Sequence, residues 1–339
     1  MEKLFRNICV MLLFSIALLQ AGEITKKGTT AAQFLKIGVG ARAAAMGESY
    51  AADASDASAI YWNPAGLASV TANEVLFVRT NWIADMTYDF ASVVMPMQGL
   101  GTFGLFYQSL NMDEMEVRTE LVPEGTGELF SATSLSLGVS YARNMTERFA
   151  FGVNAKYIRE QIWHESASTF ALDVGITYRT SIDNLRLGMA ITNYGGKMQM
   201  DGKDLLYFID IDPSLDGNNE NVIARLNTEK YDIPLGFRVG LAYDPIKTDF
   251  HRVTVALDGV TPNDYYEYMN MGMEYGFREM VFLRGGYKGL GVSDYEVGFS
   301  AGGGVKYKLQ NNLGIILDYA FVDFGRLDNV QRFSLSLTF

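Results

Sequence analysis

The stretch FALDVGITYR, Phe170 to Arg179, sets Phe170, Leu172, Val174, Ile176 and Tyr178 on one side and Asp173, Thr177 and Arg179 on the other. A period of two marks a strand with one apolar and one polar face. The same alternation recurs along the chain. SLSLGVSYA (Ser134 to Ala142) presents Leu135, Leu137, Val139 and Tyr141 together, and EVGFSAGGGVKYKL (Glu296 to Leu309) presents Val297, Phe299, Ala301, Val305 and Tyr307. RFSLSLTF, at the end of the sequence, repeats it with Phe333, Leu335, Leu337 and Phe339. The first such strand is EVLFVRTNWI, Glu74 to Ile83.

The polar faces often carry charge, as at Lys156, Arg186, Arg238, Asp258, Glu274, Arg284 and Asp318. A soluble sandwich packs its apolar faces together and wets its polar ones. A membrane barrel does the reverse, with apolar residues toward lipid and polar residues toward the lumen. Many of these strands run to about ten residues, the length that crosses a bilayer at a tilt. The pattern yields about fourteen strands, an even number, as single-chain bacterial barrels require. Connections after even strands are terse, near residues 97, 143, 244, 277 and 309. The long ones, Asn111 to Glu128 and Gly195 to Tyr231, follow odd strands. Short turns at one end and long loops at the other suit an outer-membrane barrel. Phe339, on the lipid-facing register of the last strand, is the expected barrel-assembly signal, which makes the assembly machinery an expected partner.

Composition agrees. Of 339 residues 48% are hydrophobic and only 20% charged, which argues against a disordered chain. The net charge of −11 leaves nothing to neutralise phosphates, so nucleic acid is not an expected partner. Lys3 and Arg6 precede the apolar run Ile8 to Leu19, and Ala21 and Gly22 offer a cleavage point, which together read as a signal peptide over 1–22. The single cysteine, Cys9, lies within it, so the processed chain would carry no thiol. No later apolar run reaches the length of a membrane helix, which leaves outer-membrane lipid as the expected surroundings of the strands.

Residues 30 to 70 break the alternation with TAAQFLKIGVGARAAAMGESYAADASDASAIYWNPAGLAS, a run dominated by Ala, Gly and Ser. Small residues permit close approach of backbones, and Pro64 after Asn63 forces a turn. Beside a wide barrel such a segment reads as a plug. The expected division is a signal peptide over 1–22, a hatch over 23–72 and an all-β transmembrane barrel over 73–339. The hatch motif is Trp62, Asn63, Pro64, Ala65 and Gly66, with Phe34 and Trp62 as candidate ligand contacts in the lumen.

No catalytic constellation, metal site or cofactor motif stands out. His164 and His251 are far apart with no metal-ligand spacing and read as rim residues. The glycines of Gly38 to Arg42 lack the strand–turn–helix context of a phosphate cradle. The acidic run Asp210 to Asn221 lacks the glycine and terminal glutamate of a calcium loop. In MNMGMEYGF, Met269 to Phe277, the methionines are expected to face lipid.

The run FLKIGVGARAAAMGE followed by DASAIYWNPAGLA resembles the N-terminal signature of PorV/PorQ-type outer-membrane proteins, which are related in architecture to the FadL long-chain fatty acid transporters. The resemblance implies a 14-stranded barrel plugged by a hatch, with Asn63, Pro64 and Ala65 matching its Asn-Pro-Ala turn. It implies no enzyme. It further implies association with protein secretion of the type IX kind, with exported proteins or secretion components as partners. The FadL relation implies the alternative, passive uptake of hydrophobic small molecules such as fatty acids.

Overall fold

The computed structural model describes residues 27–212, 214, 221–292, 295–309, 313–327 and 329–339, so the expected signal peptide lies outside the described residues. Among those residues stand fourteen long strands. They are β1 (Glu74–Asn81), β2 (Thr87–Met97), β3 (Gly101–Asn111), β4 (Ala132–Asn144), β5 (Phe149–Ile162), β6 (Glu165–Arg179) and β7 (Leu185–Gly195). The second half comprises β8 (Gly236–Lys247), β9 (His251–Pro262), β10 (Tyr268–Phe277), β11 (Val281–Leu290), β12 (Phe299–Lys308), β13 (Gly314–Asp323) and β14 (Asn329–Thr338). Each pairs antiparallel with its neighbour in sequence, and β14 returns to β1 with Val75 opposite Leu337 and Phe77 opposite Leu335. The sheet therefore closes, which is what hydrocarbon demands, since an open edge would strand unpaired backbone groups there.

The alternation sorts as expected for a membrane barrel. Outward positions carry Leu137, Val139, Phe170, Leu172 and the exposed Met269, Met271 and Met273. Inward positions carry Asn154, Lys156, Asp173, Asp258, Asn270, Glu274 and Arg284, all buried. Two boundaries differ from the sequence reading. β1 stops at Asn81 rather than Ile83, because Ala84 and Asp85 both take a φ of 56° and turn the chain through the left-handed region. The Trp82 ring then meets Phe324 edge-on at 5.2 Å. β12 begins at Phe299, three residues after Glu296.

All connections after even strands are short. The two long ones, 112–131 and 196–235, follow β3 and β7. Parity is not uniform: β5 and β6 are joined by Trp163 and His164 alone, a tight turn in which Trp163 has a φ of 51°. In bacterial barrels the short turns lie on the periplasmic side, which places both long loops outside the cell.

Candidate functional site

The segment before β1 runs the length of the lumen. At the long-loop end Thr30 forms an isolated bridge with Asp232, and the Ala31 N–H donates to the Asp232 carbonyl at 2.9 Å. There Asp264, buried between β9 and β10, accepts hydrogen bonds from Thr30 Oγ1 (2.7 Å), Gln33 Nε2 (2.7 Å) and Lys36 Nζ (3.0 Å). At the other end Asn73 exchanges two backbone hydrogen bonds with Phe339, of 3.1 and 3.0 Å. The chain thus enters from the outer mouth and leaves at the inner one.

Burial pushes the Asp264 carboxyl up, but hydrogen bonds from Gln33, Thr30 and Lys36, with the Lys36 charge, outweigh it and hold the pKa below its ordinary value. A carboxyl lowered on folding stabilises the fold above its unfolded pKa and loses that contribution as pH falls through the folded one. Acidification past the ordinary aspartate range, about 4, is therefore expected to free the strap at residues 30–36. Amide protection factors there, corrected for the intrinsic pH dependence of exchange, should fall in the native protein, and Asp264→Asn should show low protection at neutral pH with little further change on acidification. Equal protection in both proteins at every pH would refute the clamp.

Inside the lumen the hatch forms a 3-10 turn (Gln33–Lys36), α1 (Ala41–Ala45), α2 (Ala59–Trp62) and a second 3-10 turn (Pro64–Ser69). Pro64 suits the first position of that turn, where its missing N–H is not needed. Asn63 caps it by accepting from the Ala65 N–H at 3.2 Å, while its Nδ2 donates to the Ala51 carbonyl (2.8 Å) and the Ile176 carbonyl of β6 (3.0 Å). One asparagine therefore joins the turn, a distant part of the hatch and the wall. Trp62 is buried, its Nε1–H donating to the Val39 carbonyl at 2.8 Å. Tyr61 and Tyr50 meet its ring edge-on, and the Arg238 guanidinium lies 4.8 Å from its centroid. Phe34 is buried too.

The wall is shaped to this segment. At Gly152, Gly175, Gly188, Gly272 and Gly286 an added Cβ would come closer than 3.0 Å to Pro64, Asn63, Ala51, Met46 and Gly47 respectively. Four of these inward glycines let strand and hatch backbones touch, and at Gly175 the Asn63 side chain and the Pro64 ring press against the wall. Between them runs a charge network. Glu274, wholly buried, accepts from Arg42 Nε (2.8 Å), Arg252 Nη2 (2.7 Å) and Arg284 Nε (2.6 Å). Asp53 of the hatch accepts from Arg42 and Arg186, and Asp258 accepts the N–H groups of Tyr50 and Ala51, both at 2.9 Å. Glu48 of the hatch pairs with Lys288 of β11 and lies 3.7 Å from Arg332 of β14.

Two spaces border the hatch. A void of about 30 Å³, room for a water or two, lies between Leu35, Ile60, Tyr61, Phe106, Lys156 and Arg238. A larger vestibule of about 1380 Å³ opens at the inner mouth, lined by charged groups including Arg42, Asp53, Arg186, Asp244, Lys306 and Lys308. Neither is an apolar pocket of the kind that holds a hydrophobic ligand.

Among the described residues no group of His, Cys, Asp and Glu is placed to hold a metal ion. His164 stacks on Trp163 and bonds Asp204 at 2.7 Å, and His251 bonds the Tyr275 hydroxyl at 2.8 Å. Phe339 is exposed and continues the outward register of Phe333, Leu335 and Leu337. The sequence reading named the motif from Trp62 to Gly66 and the wall charges, but neither Arg42 and Asp53 as partners of those charges nor Asp264 as the partner of Thr30, Gln33 and Lys36. A lone arginine in the run ARAAA was the available signal.

The fold is similar to a Pseudomonas aeruginosa FadL homologue (13% identity, 89% of this chain and 98% of that one, TM-score 0.54). It is also similar to the Pseudomonas putida toluene transporter TodX (13%, 89% and 97%, TM-score 0.57) and the Ralstonia pickettii toluene transporter TbuX (14%, 89% and 97%, TM-score 0.51). At these identities the likeness is one of fold. No curated protein matches the sequence. The family model described as type IX secretion system protein PorV matches residues 20–260, more than half of the chain. The chain belongs to the PorV family, outer-membrane barrels of type IX secretion.

Proposed function

We propose that this barrel serves secretion as a sealed platform that engages exported proteins from its outer face, and that its lumen conducts nothing. The observation that carries the reading is the fit of hatch to wall, with backbone meeting backbone at the inward glycines and every major hatch turn tied to a strand. In this reading Trp62, Asn63, Pro64, Ala65 and Gly66 form the seal, and Phe34 and Trp62 are packing residues of it. Phe339 serves as the assembly signal read during insertion, and residues 1–22 direct export.

A covalent lock separates this from uptake of hydrophobic molecules. The Ala41 N–H donates to Ser334 Oγ of β14 at 2.7 Å, which makes these two positions the place to try a cysteine pair, its closure read as loss of free thiol on oxidation. The processed chain offers no competing thiol. Cells carrying Ala41→Cys with Ser334→Cys are expected to secrete normally under oxidising conditions, whereas a deletion strain strands its exported proteins. Secretion lost on oxidation and restored by a reductant would mean that the hatch must move, and would overturn the sealed reading.

A further inference from the structure

Two small ribbons rise from the outer mouth. In one, Met115–Glu116 pairs with Leu129–Phe130; in the other, Leu206–Ile209 pairs with Val222–Arg225. Each is a two-stranded sheet with no third strand among the described residues. They flank the tight β5–β6 turn and are tied to it. The Trp163 N–H donates to the Ser131 carbonyl at 3.0 Å, the Phe130 and Trp163 rings lie 6.5 Å apart, and His164 bonds Asp204. The ribbons and the turn thus form one platform.

The second ribbon is unusual for a structure in water. Its sequences are LYFI and VIAR, so Arg225 is the only charged residue in it. In its register Phe208 faces Ile223 on one side and Tyr207 faces Ala224 on the other, so neither face is polar. Phe208 is 68% exposed and Ile223 64%, and on the neighbouring loop Leu121 is 94% exposed. An isolated two-stranded ribbon is marginally stable, and an apolar one with bare edges is a template for another strand.

Charge says what kind of strand. The described residues of the two loops hold twelve carboxylates and five basic side chains. Of the basic ones Arg225 is paired with Asp201 and Lys197 with Asp232. A second copy of this chain would bring the same negative charge, and an anionic membrane surface would be repelled as well.

Resting on the proposed function, we infer that the ribbon Leu206–Ile209 and Val222–Arg225 is a docking edge for a basic, extended segment of a partner protein, which adds to it as a strand. Main-chain hydrogen bonds supply the pairing, Phe208 and Ile223 the apolar contact, and the surrounding carboxylates the steering.

The test uses the full protein in nanodiscs of zwitterionic lipid, with a synthetic peptide of alternating Lys and Val as probe and its Glu and Val counterpart as control. The basic peptide is expected to bind, to slow amide exchange at 206–209 and 222–225, and to dissociate as salt approaches about 1 M, where screening shortens to about 3 Å. Phe208→Ser with Ile223→Ser should weaken binding about tenfold or more, as loss of an apolar anchor does. Glu120→Lys with Glu124→Lys should weaken it mainly through association rate. Heat-modifiable gel mobility shows that each variant remains a folded barrel. Equal binding of the acidic peptide, protection elsewhere, or self-association through the ribbon would each overturn the inference. Should no peptide bind while the deletion strain still strands its exported proteins, the docking edge is refuted and the proposed function stands.

Discussion

Glu274→Ala is expected to destabilise the plugged barrel by about 3–5 kcal/mol, the usual consequence of removing one partner from a buried ion pair. The site has the features that make such losses large. The carboxylate is wholly buried and receives three arginines, one from the hatch and two from β9 and β11. Each arginine keeps further acidic neighbours, Asp53 and Asp56 for Arg42, Glu279 for Arg252 and Asp318 for Arg284, so the network loosens rather than vanishes. Glu274→Gln keeps the shape and part of the hydrogen bonding but not the charge, and should fall between wild type and alanine. The midpoint of the heat-induced gel shift in detergent reads the series. An alanine variant within about 1 kcal/mol of wild type, the worth of a surface pair, would mean that the network does not hold the hatch.

Gly175→Val should turn a silent barrel into a conducting one. Its added carbon would fall on Asn63 and within 2.9 Å of the Pro64 ring, so the Asn-Pro turn must leave the wall. Overpacking of this kind costs about 1–3 kcal/mol, occasionally more. Here strain concentrates on the residue that links hatch to β6. Gly259→Val is the control: it lies on an exposed position of β9, and its Cβ would meet nothing nearer than the Val239 carbonyl at 4.0 Å. Valine favours strands at both sites, so intrinsic propensity predicts no difference. In planar bilayers the Gly175 variant is expected to show discrete current steps and the Gly259 variant none. Silence in both would show that the seal survives a displaced turn.

The strands were legible because each position of a membrane barrel faces one of two opposed environments. Phe170, Leu172 and Val174 meet lipid while Asp173 meets the lumen, and a period of two follows directly. Turn boundaries were less so, since the apolar Trp82 and Ile83 continue the strand pattern while Ala84 and Asp85 have already turned. The hatch was legible as a break in period and through Trp62 to Gly66, but its internal path was not. Ala, Gly and Ser fit any close contact and leave no pattern. Arg42 and Glu274 lie 232 residues apart, and no local signal joins them. The inward glycines carried a usable clue, for Gly152, Gly188 and Gly272 fall on the lumen register of strands that otherwise favour bulk. A glycine there costs strand propensity, which signals another backbone pressed against the wall.

The route of the hatch, from Thr30 at one mouth to Asn73 at the other, bears on the order of biogenesis. A cord that fits its ring this closely cannot be threaded after the ring is finished. The bulky Trp62, with Tyr50 and Tyr61 around it, has no gap through which to slide past the narrowed wall. The hatch is therefore expected to be laid down while the sheet is still an open trough. The seam between β1 and β14, where the earliest and latest strands meet, is then the last ladder to zip.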